Sequence, residues 1–135
     1  MLGHATPGWL VSLAGFAPGQ IVIVDWRDAL PREPNKLRPA IVVEDSELFG
    51  PSYPNLIVVP ISENRESAPF GLSLTIEPTP ENGCTKRSYA LSAYVATTSK
   101  QRVRATQSRI LPEQLHVIRR QVALAIGIEL PDSFS

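Results

Sequence analysis

The sequence predicts a small α+β domain, mainly of antiparallel strands and finished by one C-terminal helix. Three observations carry that reading. Short β-branched runs recur between residues 20 and 95, separated by turns rich in proline and glycine. Over residues 110–127 the apolar pattern changes to helical spacing. At 135 residues the chain can bury one real core but is too short for two domains.

Residues 20–26 (QIVIVDW), opened by Pro18-Gly19, read as the first strand. Residues 28–37 (DALPREPNKL) carry two prolines and alternating charges, which a central strand would not tolerate, so they form a long loop. Residues 40–43 (AIVV) and 56–61 (LIVVPI) are further strands, parted by the turn-rich FGPSYPN of residues 49–55. Residues 72–76 (LSLTI) and 89–95 (YALSAYV) alternate with period two, each with one buried and one wet face. Between them Asn82-Gly83, two residues that tolerate positive φ, marks the turn of a hairpin. Residues 100–103 are expected to add a short strand, with Arg102 and Arg104 on one side because side chains two apart share a face.

The helix has the best-defined ends. Leu111, Leu115, Ile118, Val122, Ala125 and Ile126 recur at helical spacing. Pro112 suits the first helical position, where its missing N–H is not needed, and Glu113 favours the positive end of the dipole. Ile110 and Leu115 stand at the separation of a hydrophobic staple, and Gly127 is placed to end the helix.

Charge sums to zero, with 13 basic and 13 acidic residues, but the sum hides a division. Through residue 85 there are five basic and ten acidic side chains; from residue 86 there are eight and three. That asymmetry fits a polyanion or an acidic protein partner, and equally a set of solvated faces. A lone cysteine, Cys84, excludes an internal disulfide and any multi-cysteine metal site, and fits a reducing cytoplasm. Residues 8–17 (GWLVSLAGFA) are too short to span a bilayer and no Lys or Arg precedes them, so residues 1–17 read as an N-terminal extension. The domain is placed at residues 18–130, with residues 131–135 as a tail.

Standard catalytic signatures are missing: there is no glycine-rich phosphate loop, no HExxH, no nucleophile elbow, and His4 and His116 are the two histidines. What remains is an ordered series. Val24-Asp25-Trp26 ends the first strand, Arg38-Pro39-Ala40 opens the next, and Val58-Val59-Pro60-Ile61-Ser62 and then Pro69-Phe70 follow. Pro39 fixes its own φ and biases Arg38 toward an extended backbone, which launches the arginine from a defined place beside the sheet.

In order and spacing these motifs, with the Leu-Pro-Glu-Gln-Leu helix start, resemble the MazF/PemK family of toxin ribonucleases from type II toxin–antitoxin modules, over roughly residues 18–128. The resemblance implies a small SH3-like barrel, a homodimer, and an antitoxin partner, an acidic and partly disordered chain that lies along the RNA groove. It also implies metal-independent cleavage of single-stranded RNA, with no cofactor, to 2′,3′-cyclic phosphate and 5′-hydroxyl ends. Arg38 and Ser62 match the catalytic motif positions. Asp25, Trp26, Pro69 and Phe70 are expected to line the groove, with Arg102 and Arg104 as further backbone contacts. Ser62 replaces the family's commoner Thr and keeps the hydroxyl. One departure stands out: Ala93 occupies the place of a family acid and Leu91 that of a second arginine, which leaves the proton acceptor unassigned. Glu63 and Glu66, just after Ser62, are the substitutes at hand. The contrasting readings are a toxin of the same fold that binds a protein such as DNA gyrase, and an inactive interaction module.

Overall fold

A computed structural model describes residues 15–26, 37–68 and 71–131. Seven strands appear: β1 (Gln20–Asp25), β2 (Leu37–Val42), β3 (Asn55–Ser62), β4 (Ser73–Ile76), β5 (Ser88–Leu91), β6 (Ala96–Ser99) and β7 (Val103–Arg109). An α-helix, α1 (Pro112–Ala125), follows them among the described residues. The described strand pairs are antiparallel, in the order β4-β5-β3-β2-β1-β7, with β6 on β3. β3 is eight residues long and serves two neighbours on one edge. Its first half pairs with β6 and its last two residues, Ile61 and Ser62, with β5.

The expected barrel is present as a curled sheet that does not close on itself, since β4 and β7 remain its edges. The loop between β4 and β5 reaches across to the far edge, where Arg109 N–H donates to the Glu81 carbonyl at 2.9 Å. Asn82 holds that loop in shape. Its Oδ1 accepts from Thr79 and Cys84 N–H, its Nδ2 donates to the Glu77 carbonyl, and Gly83 adopts φ of +67°. At the loop's base, Glu77 and Arg87 pair at 2.9 Å, and this hydrogen bond raises the arginine's pKa above its usual range.

The central strands read as continuous apolar runs because both of their faces are buried. Ile21, Ile41, Val59, Ile61, Ile76 and Ala90 meet Ile110, Leu115 and Ile118 on the helix side. On the other face Val22, Val24, Ala40, Val42, Leu56 and Val58 form a second cluster, with Phe16, Trp26 and Val103 packed against it.

α1 begins and ends as its sequence predicts. Pro112 is the first helical residue; Gln114 Oε1 accepts from Leu111 N–H at 2.9 Å, although leucine offers no side-chain acceptor in return. At the far end Gly127 takes φ of +91°, Ile128 N–H donates to the Ala123 carbonyl and Gly127 N–H to that of Leu124, which is a Schellman closure. Arg119 fixes the helix to the sheet by donating to the carbonyls of Val43 and Glu44 at 2.9 and 2.8 Å. Ile118 is fully buried, so Ile118→Ala is expected to cost about 2–5 kcal/mol through lost burial and a residual cavity, measured as a lower denaturation midpoint with unchanged slope.

Two expectations need correction. Residues 89–95 are not one alternating strand: β5 stops at Leu91, a 3-10 turn spans Ser92–Tyr94, and β6 begins at Ala96. The buried Ser92 hydroxyl donates to Gln121 Oε1 at 2.6 Å, and Gln121 Nε2 donates to the Ser73 carbonyl at 2.9 Å. This tie to α1 takes the chain out of the ladder. Nor do residues 100–103 form a strand. Lys100–Arg102 is a 3-10 turn begun by Ser99 Oγ, which accepts from Gln101 N–H, and the strand is the longer β7 that follows. The loop expected over residues 28–37 falls outside the described residues up to residue 36, as do residues 1–14 of the N-terminal extension and residues 132–135 of the tail.

Candidate functional site

A proline in β2 marks where the sheet opens. In an antiparallel ladder, alternate N–H groups on a strand point to alternate neighbours. Val43 N–H donates to the Ile57 carbonyl of β3, so Ile41 and residue 39 also face β3. Residue 39 is Pro39, which has no N–H to give. The β2–β3 pairing accordingly ends at Ala40 opposite Pro60, and a cleft of about 610 Å³ lies beside that end.

Arg38 and Pro39 line the cleft from β2, and Ile61 and Ser62 line it from β3. Arg38 and Ser62 both lie beyond the last residues paired between these strands, Ala40 and Pro60, and line the same cleft. Ser62 Oγ accepts from Asn64 N–H at 2.9 Å, which fixes the hydroxyl where the strand turns away. Glu63, next in sequence, also lines the cleft and is its one carboxylate among the described residues. Glu66 does not line it; it sits in the following 3-10 turn, where its N–H donates to Asn64 Oδ1.

Ile23 is shared with a second cleft of about 550 Å³, lined also by Asp25, Leu37, Arg102 and Arg104. Two guanidinium groups against one carboxylate make this neighbouring surface cationic, as a polyanion would require. Arg38, Ser62, Asp25, Arg102 and Arg104 thus meet along two clefts joined at Ile23.

The other expected groove residues lie elsewhere. Trp26 packs against the second core cluster and lines neither cleft; its buried Nε1 has no hydrogen-bond partner among the described residues. Pro69 and Phe70 fall outside the described residues. Leu91 is buried and Ala93 belongs to the 3-10 turn after β5, and neither lines the first cleft.

Sequence reasoning missed the side of the cleft supplied by residues 82–85, Thr106 and Ser108. A signal was available. Arg102, Arg104, Thr106 and Ser108 recur with period two, and all four line one cleft or the other. Among the described residues no group of three or more His, Cys, Asp or Glu could hold a metal ion, and no helix is long and apolar enough to cross a membrane.

The fold has close counterparts among solved structures. The Mycobacterium tuberculosis toxin MazF-mt6 superposes with a TM-score of 0.62 at 16% identity, covering 82% of this chain and 99% of that one. MazF from Deinococcus radiodurans gives 0.63 at 16% identity, over 82% and 96% of the two chains. An endoribonuclease from a mycobacterial species, in complex with its cognate antitoxin, gives 0.61 at 16%, over 84% and 97%. At such identity these likenesses speak for the fold. No curated protein sequence matches the chain. The family described as PemK-like, MazF-like toxins of type II toxin–antitoxin systems matches residues 17–126. That span contains every described strand and the described α-helix, and on this ground the chain belongs to the PemK-like, MazF-like toxin family.

Proposed function

We propose that this toxin is a metal-independent endoribonuclease that cleaves single-stranded RNA in the cytoplasm to 2′,3′-cyclic phosphate and 5′-hydroxyl ends. The observation that carries the reading is the meeting of Arg38, Ser62 and Glu63 at one cleft, beside a cationic one. Cleavage of this kind uses the ribose 2′-hydroxyl as nucleophile, so the protein must accept one proton and stabilise added charge on phosphorus. Glu63 takes the 2′ proton, O2′ bonds to phosphorus, the P–O5′ bond breaks, and the departing oxygen takes a proton from water. Arg38 offers two parallel donors to the phosphate oxygens, and Ser62 Oγ orients them. Asp25, Arg102 and Arg104 guide the strand away from the scissile bond.

A homodimer and an acidic antitoxin complete the proposal. Leu124, Ile126 and Ile128 are exposed at the end of α1, an apolar surface of the sort that partners cover. By mass action, free toxin acts only when it exceeds its antitoxin.

The purified chain, incubated with mixed-sequence single-stranded RNA in excess EDTA, is expected to cut it and leave 5′-hydroxyl ends. No cleavage, together with tight binding of a gyrase-like protein, would overturn the nuclease reading in favour of a protein-binding toxin.

A further inference from the structure

We propose that the hydroxyls of Thr85 and Ser108 read the edge of a nucleobase held in the first cleft, next to the scissile phosphate. The inference deepens the nuclease reading and rests on it.

The argument begins with what the polar groups around this part of the cleft already do. Asn82 spends its amide on Thr79, Cys84 and Glu77. Ser88 Oγ donates to the Lys86 carbonyl. Thr106 Oγ1 donates to the Ile21 carbonyl and accepts from Ser108 N–H. These groups build the wall and have little capacity left for a ligand. Thr85 and Ser108 differ: both line the cleft, and neither hydroxyl has a hydrogen-bond partner among the described residues. Their backbones are nevertheless held. Ser108 N–H is bound to Thr106, and Thr85 follows the Asn82–Cys84 turn.

Gly83 keeps the Ser108 hydroxyl open. A Cβ at Gly83 would stand 2.7 Å from Ser108 Oγ, so any other residue would crowd that oxygen, besides being strained at φ of +67°.

The chemistry of the lining selects the ligand. A phosphate offers acceptors alone and is met by cations, and among the described residues around this cleft Arg38 is the one cation. Arg38 is already committed to the scissile phosphate in the proposed reaction. Hydroxyls both donate and accept, which suits a base edge carrying both kinds of group. No aromatic ring is among the described lining residues, so recognition here proceeds by hydrogen bonds and not by stacking. At about 610 Å³ the cleft falls within the range of small-molecule sites, roughly 300–1,000 Å³.

The test is cleavage of a single-stranded RNA library randomised on both sides of the cut, by the wild type, Thr85→Val, Ser108→Ala and Ser108→Thr, with thermal melting of each. The expected result is that Thr85→Val and Ser108→Ala each lower the base preference at one and the same position by roughly 5- to 30-fold, the worth of one hydrogen bond, while Ser108→Thr retains it. A preference unchanged within about twofold, or a rate loss shared equally by all sequences, overturns the base-reading role while leaving the nuclease reading intact. A wild type that cuts no RNA in the library overturns both.

Discussion

Arg38→Ala is expected to lower kcat/KM for RNA cleavage by about 10²–10³-fold or more, with a melting transition that shows the fold intact. The size follows from the role. A guanidinium placed where charge develops acts in the transition state and needs no reorganisation at the moment of reaction. Arg38→Lys should recover only part of the loss, because an ammonium restores the charge without the two parallel donors. Equal activity of the Lys variant and the wild type would mean that the charge alone matters. An active Ala variant would remove Arg38 from the chemistry.

Glu63→Gln is expected to cost roughly 10²–10⁴-fold in rate while RNA binding persists, since a general base contributes on that scale and the amide keeps the shape. If the loss follows Glu66→Gln, or substitution of Asp28 or Glu33 in the segment before Arg38, the proton acceptor lies there and Glu63 is a bystander.

The residues differ in how plainly they declare themselves in sequence. β1, β2 and β3 are continuous apolar runs because two core clusters sandwich them, and burial on both faces leaves a strong local signal. α1 has punctuation at each end, from Pro112 to Gly127. β7 was missed because VRATQSR has no apolar period; its position comes from pairing with β1, a contact remote in sequence. Its polar side chains also suit an exposed edge, where they discourage further pairing. The break after β5 was illegible for the same reason: Ser92 leaves the sheet for Gln121, 29 residues away.

The candidate site divides likewise. Motif order singles out Arg38 and Ser62 in sequence, and in the structure both line the first cleft. Trp26 has the residue type of a stacking platform, yet alternation sends it with Val22 and Val24 toward the second cluster. On the hydroxyl-bearing side of the cleft the period-two run through Thr106 and Ser108 is visible in sequence, but its meeting with the β4–β5 loop is not, because the Arg109–Glu81 hydrogen bond joins segments remote in sequence.

Whether Arg38 and Ser62 grip one phosphate is measured most directly by a double-mutant cycle on kcat/KM, with Arg38→Ala, Ser62→Ala and the pair. If both hold the same anion in the transition state, the double variant should lose little more than Arg38→Ala alone, a coupling of about 0.5–3 kcal/mol. Losses that add to within about 0.5 kcal/mol would contradict a shared phosphate.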